Sequence, residues 1–216
     1  LSQGPRLAPD QIQKWFLNAE YGLLHGLLVA FWAIMYKRRN DLSYHPEDEA
    51  LILPLIHRFP QIAFILAPHD VSRASSINQA LPTTALMWSS WSTSSLEEKQ
   101  DSKLLLVDTM GELFTFYGHA NMAMIGGGFK QGLHNVLEAM VHGLPTCFGP
   151  ETDGHWEADK AIQSGHANTV SNSDELKQWI DDCLQKTSPA KQIKGFIDQQ
   201  AGANTKVKHL VEDQLF

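Results

Sequence analysis

Cysteine and positive charge are both scarce in this sequence. Among 216 residues there are two cysteines, Cys147 and Cys183, which lie far apart and show no CxxC spacing. Two cysteines are too few for a disulfide framework, so we interpret them as buried thiols in a reducing compartment, where disulfides seldom persist. The formal net charge is −7, whereas proteins that bind nucleic acid concentrate Lys and Arg on one face. Nucleic acid is therefore not an expected partner.

Several motifs of catalytic and metal sites are also absent. No GxSxG, Ser-His-Asp or Cys-His pattern indicates a nucleophilic hydrolase. No GxGxxG or P-loop indicates a dinucleotide site or an NTP hydrolase. His134 and His142 lie eight residues apart, without an HExxH motif or a carboxylate cluster, so we expect no metal ion.

An apolar run lies near the N-terminus. Residues 15–36 are mostly apolar, and a basic cluster follows directly at 37–39. A helix of that length extends about 33 Å, and the trailing positive charges fit the positive-inside rule, although Glu20 and other polar residues interrupt the run. We expect a helix over 15–36 that is buried in protein, lies at a membrane interface or spans a bilayer. It does not resemble a signal peptide, because the positive charges follow the apolar stretch and no cleavage site is evident.

The rest of the chain alternates strand-like and helix-like segments. Apolar runs of strand length occupy 62–66, 104–108, 121–125 and 144–148, with a short strand at 168–170. Helical patterns occupy 46–60, 112–120, 133–142 and 156–167, then a capped helix from Ser173 and two segments within 189–216. Residues 76–102, rich in Ser and Thr, are predicted as a surface segment with one short strand. This alternation predicts an α/β fold with a doubly wound, Rossmann-like parallel sheet covered on both faces.

In such sheets ligands bind beyond the carboxyl ends of the strands. That rule selects three stretches, which should face one crevice. They are Pro68-His69-Asp70, Met110-Gly111-Glu112 and the region from Gly126 to Asn135.

The third stretch has the composition of a nucleotide site. Gly126, Gly127 and Gly128 let the main chain approach a ligand closely, and a predicted helix start follows, which favours a phosphate. On that helix Asn135 and Glu138 lie three residues apart, off the core stripe, and a carboxylate there can accept hydrogen bonds from both ribose hydroxyls. The alternative interpretation is a tight glycine turn beside a solvated glutamate.

These residues also carry a family resemblance. The stretch "DTMGELFTFYGHANMAMIGGGFKQGLHNVLEAMVHGLPTCFGPE" resembles the C-terminal half of the bacterial 3-deoxy-D-manno-octulosonic acid (Kdo) transferases, which act on lipid A precursors in lipopolysaccharide synthesis. The resemblance extends from about His45 to the C-terminus. Its signature is D-T-M-G-E-L followed about twenty residues later by G-G-G and H-N-x-L-E-A.

The resemblance implies a two-domain, B-type glycosyltransferase fold whose C-terminal half binds CMP-Kdo, with no metal and no further cofactor. Three donor contacts carry over by position. Pro68 and His69 match the first, where many members have Pro-Arg; Met110, Gly111 and Glu112 match the second; Asn135, Val136, Leu137 and Glu138 match the third, where many relatives have N-P-L-E.

The resemblance further implies an inverting transfer, in which a hydroxyl of a lipid A precursor attacks the anomeric carbon as CMP leaves. The family's general base is a glutamate of the N-terminal domain, so no catalytic residue is assigned in this chain. The implied location is the cytoplasmic side of the bacterial inner membrane, peripheral or anchored, with a membrane surface or an N-terminal domain as partner.

Residues 1–44 do not match the family, and 45–216 form the predicted nucleotide-sugar-binding domain. Two explanations are open: the chain is a fragment or a fused reading frame, or the apolar helix replaces the missing domain as an anchor. Either way we expect little transferase activity from this polypeptide alone. Two other functions also stay open, namely a different nucleotide-sugar glycosyltransferase and a non-catalytic nucleotide-binding or interaction domain.

Overall fold

A parallel β-sheet organises the molecule. The computed structural model describes residues 27–32, 47–68, 70–81, 85–129 and 132–200, with backbone only at 27–32, 47–50 and Gln100. The strands are β1 Leu27–Trp32, β2 Ala63–Pro68, β3 Leu86–Met87, β4 Leu104–Leu106, β5 Met122–Ile125, β6 Thr146–Phe148 and β7 Ala167–Thr169. All neighbouring strands pair in parallel, in the order β3-β4-β2-β1-β5-β6-β7.

Helices connect the strands. They are α1 Glu47–Ile56, α2 Ala74–Ala80, α3 Leu96–Asp101, α4 Leu113–Tyr117, α5 Leu137–Met140, α6 Trp156–Gln163, α7 Ser173–Gln185 and α8 Ala190–Gln200, with 3-10 turns at Val71–Arg73 and Trp88–Ser90. The N-terminus of α7 is set by a local hydrogen bond. The Asn172 side chain accepts from the Glu175 backbone N–H at 2.9 Å. Such a cap satisfies a donor that has no partner within the helix.

The core lies on both faces of the sheet. Along β2, Phe64 and Leu66 belong to one buried cluster, whereas Ile65 and Ala67 belong to the other. Strands buried on two faces need continuous apolar sequence, which is the pattern of the predicted strands. The predicted doubly wound α/β fold is therefore confirmed.

The predicted helix over 15–36 is wrong at residues 27–32. These residues form β1, which lies between β2 and β5 and pairs Leu28 with Phe64 on one side and Met122 on the other. A short apolar run cannot be assigned to a helix or a buried strand by periodicity alone, and here its place in the sheet decides. The rest of the predicted helix, and the predicted domain boundary near residue 45, lie outside the described residues, so that boundary stays a prediction.

The predicted helix over 133–142 is much shorter in the structure, where α5 covers Leu137–Met140. The His134 backbone N–H donates to the Gly126 carbonyl at 3.2 Å, which ties this segment back to the glycine stretch. The Asn135 side chain accepts from the Leu137 N–H at 3.1 Å, so the helix begins only after it. Gly143, with φ +79°, follows the end of the helix.

Residues 76–102 are less superficial than predicted. They contain the short strand β3, but also Trp88 and Trp91, each only 4% exposed. Two large aromatic side chains bury much apolar area, which explains why this segment packs into the core despite its many hydroxyl residues.

Candidate functional site

The candidate site lies at the carboxyl ends of the parallel strands. Strand β1 has β2 on one side and β5 on the other, so the connections leave the centre of the sheet in opposite directions. In open α/β sheets ligands bind where this direction changes, outside the carboxyl ends of the strands. The segments that follow β2, β4, β5 and β6 all reach this edge.

The glycine stretch after β5 is packed against other backbone. Gly126, Gly127 and Gly128 are all buried. A Cβ on Gly127, where φ is +87°, would stand 2.3 Å from the Gly132 carbonyl oxygen. A Cβ on Gly128 would stand 2.8 Å from the backbone nitrogen and oxygen of Gly149. Bare backbone is thus required here for the chain to pack on itself.

The segment after β6 therefore forms part of the same wall. The Glu151 backbone N–H donates to the Gly128 carbonyl at 2.8 Å. The sequence analysis did not identify this role of Gly149. The available signal was a glycine directly after a strand, at the edge where ligands bind.

The second predicted contact is an exposed turn before α4. Met110 is 70% exposed, Gly111 has φ +97°, and Glu112 is half-buried directly before the helix. The neighbouring Thr109 hydroxyl is buried and has no hydrogen-bond partner among the described residues. Buried polar atoms are rarely left unpaired, so a water or ligand atom beside Thr109 would be favourable.

The third contact centres on a paired amide and carboxylate. Asn135 Nδ2 donates to Glu138 Oε1 at 3.1 Å, while Asn135 Oδ1 accepts from the Leu137 N–H. Asn135 is exposed and Glu138 half-buried, so the carboxylate is oriented but still accessible. Val136 is fully buried and Leu137 half-buried, so Val136 contributes its side chain to the core.

The buried Tyr117 interacts electrostatically with this carboxylate. Burial raises the pKa of Tyr117, and the negative charge of Glu138 raises it further. The helix that contains Tyr117, α4, packs against α5. The second and third contacts thus lie at the starts of two adjacent helices.

The first predicted contact is only partly described. Pro68 is buried as the last residue of β2, paired in register with Trp32. His69 lies outside the described residues. Asp70 follows, and its Oδ1 accepts from the Ser72 N–H at 3.0 Å, which starts the 3-10 turn.

Neither cysteine is suited to act as a nucleophile. Burial raises the pKa of the Cys147 thiol well above its ordinary value, and burial raises that of Cys183 to about 12. Both are free, and Cys147 is buried as expected from the sequence, whereas Cys183 is only half-buried. Neither forms a thiolate readily. Within the described ranges no cluster of three or more His, Cys, Asp or Glu side chains could hold a metal ion. None of the helices described there is both long and apolar enough to cross a membrane.

Comparison with known proteins identifies sequence relatives. No family model matches the chain. It is 32% identical over 154 residues to the 3-deoxy-D-manno-octulosonic acid transferase of Rickettsia typhi. The aligned region covers 69% of this chain and 33% of that protein. It is 34% identical over 139 residues to the Rickettsia conorii enzyme of the same name, covering 62% of this chain and 30% of that protein. The chain thus spans about a third of the length of the curated relatives it matches.

Solved structures agree on the fold. The C-terminal CMP-Kdo binding domain of WaaA from Acinetobacter baumannii superposes with a TM-score of 0.68 at 20% identity, over 87% of this chain and 92% of that one. Anabaena HepE in complex with UDP-glucose gives 0.59 at 14% identity, over 96% of this chain and 54% of that one. The fold is that of the Rossmann-like C-terminal half of a B-type glycosyltransferase, and the resemblance stated from the sequence is confirmed.

Proposed function

We propose that this chain, a relative of the 3-deoxy-D-manno-octulosonic acid transferases over about a third of their length, is their donor-binding half and binds CMP-Kdo. The observation that carries the proposal is the Glu138 carboxylate, held by Asn135 at 3.1 Å at the carboxyl edge of a Rossmann-like sheet. The resemblance stated from the sequence implies a donor contact at this position, and a carboxylate can accept hydrogen bonds from the two hydroxyls of a ribose.

The other contacts complete the proposed donor site. Pro68 and His69 form the first contact, and the exposed turn of Met110, Gly111 and Glu112 forms the second. The buried glycines 126–128 have no side chains, so the nucleotide can lie close to their backbone. Because the Val136 side chain is in the core, this residue is assigned a main-chain contact.

For the whole protein we propose transfer of Kdo from CMP-Kdo to a lipid A precursor, at the cytoplasmic side of the bacterial inner membrane. An acceptor hydroxyl attacks the anomeric carbon, the bond from that carbon to the CMP phosphate oxygen breaks, and the configuration inverts. A general base takes the hydroxyl proton. No metal ion is assigned to the step, and no residue of this chain is assigned as the base.

Calorimetric titration of the purified chain with CMP and with UDP tests donor binding. We expect selective binding of CMP, weakened at least tenfold by Glu138→Ala, which corresponds to about 1.4 kcal/mol. The matched control is Glu97→Ala, which removes an exposed glutamate in α3 and should leave CMP affinity unchanged.

Three results would contradict the proposal in different ways. Equal affinity for UDP would indicate a different nucleotide-sugar glycosyltransferase. No binding of either nucleotide by folded protein would indicate a non-catalytic domain that shares only the fold. An unchanged CMP affinity in Glu138→Ala would show that this carboxylate does not contribute to donor binding.

A further inference from the structure

The 3-10 turn Trp88–Ser90 contacts the chain just before the exposed turn 110–112. The Ser89 backbone N–H donates to Asp108 Oδ1 at 2.8 Å, and the Ser89 hydroxyl donates to Asp108 Oδ2 at 2.5 Å. One serine therefore occupies both oxygens of the carboxylate. Hydrogen bonds to an ionised carboxylate are stronger and shorter than those between neutral groups.

The same 3-10 turn also contacts the chain just after the exposed turn. The rings of Trp88 and Phe116 meet edge to face with centroids 4.8 Å apart, and both side chains are buried. Phe116 belongs to α4, and its backbone N–H donates to the Glu112 carbonyl at 3.1 Å. Residues 88 and 89 thus hold both ends of the segment from Asp108 to Phe116.

Between these two anchors, the turn 110–112 has few contacts of its own. Met110 is exposed, and a Cβ on Gly111 would meet nothing within 4 Å. Gly111 also has φ +97°, a conformation that glycine reaches without strain but does not prefer over others. The conformation of the turn therefore depends on what fixes its ends.

We infer that the Ser89–Asp108 pair positions the turn 110–112 for the donor nucleotide, with Asp108 as a positioning residue that does not touch the ligand. The inference rests on the proposed function, because it assumes that the turn 110–112 contacts the donor nucleotide. It also gives a role to the Ser-rich segment before β4, which was predicted from the sequence only as a surface segment.

The test combines amide hydrogen exchange with CMP titration on the full chain. Asp108→Ala removes both hydrogen bonds, and Ser89→Ala removes only the one from the hydroxyl. The control Ser94→Ala removes a hydroxyl that donates to the Ser90 carbonyl at 2.9 Å in the same segment. We expect exchange at 109–112 to rise at least tenfold in Asp108→Ala, less in Ser89→Ala and not in Ser94→Ala, while β4 and β5 stay protected.

CMP affinity should follow the same order, with at least a fivefold loss in Asp108→Ala. Asp108→Asn should recover most of it, because the amide oxygen accepts from the Ser89 N–H and its NH2 group can donate to the hydroxyl. Should Asp108→Ala fail to fold, Ser89→Ala and Asp108→Asn supply the comparison.

Unchanged amide exchange at 109–112 in Asp108→Ala would overturn the inference, whatever the effect on CMP affinity. Faster exchange with unchanged CMP affinity would also overturn it. A direct contact between Asp108 and CMP would appear as lost affinity in Asp108→Ala with no effect of Ser89→Ala, and would overturn the positioning role. If the wild-type chain binds no CMP, the proposed function fails and the role in donor binding fails with it; exchange then decides only whether the pair holds the turn.

Discussion

At the scale of single residues, the glycines of the site are best explained by contacts within the protein. A Cβ on Gly149 would stand 2.2 Å from the Gly128 carbonyl oxygen and 2.8 Å from a ring carbon of Phe129. The first of these contacts is with backbone, which cannot rotate away. Gly149 and Gly128 therefore set how closely the segments after β5 and β6 approach.

Gly149→Ala should destabilise the fold by about 2 kcal/mol or more, because the extra methyl must push two buried backbone segments apart. Urea unfolding followed by circular dichroism measures this as a lower midpoint at unchanged slope.

The control lies in α8, where a Cβ on Gly195 would meet nothing within 4 Å. Gly195→Ala should stabilise the protein by about 0.5–1 kcal/mol, since alanine loses less backbone entropy in a helix. If the two substitutions changed the free energy of unfolding equally, the close approach at Gly149 would not be what limits the residue at this position.

At the scale of elements, the contact between α4 and the segment just after α5 includes an ionisable group. The His142 ring meets Phe114 with centroids 4.5 Å apart, and His142 Nε2 is buried without a hydrogen-bond partner in the described part of the chain. Burial lowers the pKa of His142, and the charges of Lys194 and His119 lower it further. Protonation of His142 is therefore disfavoured while the helices are packed.

Stability should fall as the pH drops from 7.5 to 5.5. The unfolded chain binds a proton at His142 near the ordinary pKa of about 6.5, whereas the folded chain binds it only at lower pH. Protons thus favour the unfolded state in this window, and the stabilisation present above pH 6.5 is lost as the pH falls towards the folded-state pKa. Urea midpoints at the two pH values measure the loss.

His142→Gln should show a smaller loss between the same pH values, and Lys194→Met should move the slope in the same direction. A wild-type slope retained in both variants would contradict the assignment to His142.

The elements themselves were predictable where local chemistry decides them. The helix from Ser173 has its Asn172 cap, and the apolar runs at 62–66 and 121–125 form strands β2 and β5. Prediction failed where contacts with residues distant in the sequence determine the secondary structure. Residues 27–32 are a strand because β2 and β5 flank them, and α5 is short because His134 bonds to Gly126.

At the scale of the whole molecule, the site is assembled from segments far apart in the chain. The sequence could place Gly111, Gly126 and Glu138 near one edge, because parallel strands bring their carboxyl ends together. It could not find the hydrogen bonds from Ser89 to Asp108, which join residues 19 apart, or the contact between Gly128 and Gly149. Such contacts depend on how segments pack after the sheet has formed.

The most direct test of the central claim is to map CMP onto the folded chain by amide chemical-shift changes during titration. The account predicts that the largest changes fall on residues 110–112, 126–128 and 135–138, with the amides of α7 unaffected. Changes on another face of the sheet, or none at saturating CMP, would contradict the assignment of this edge as the donor site.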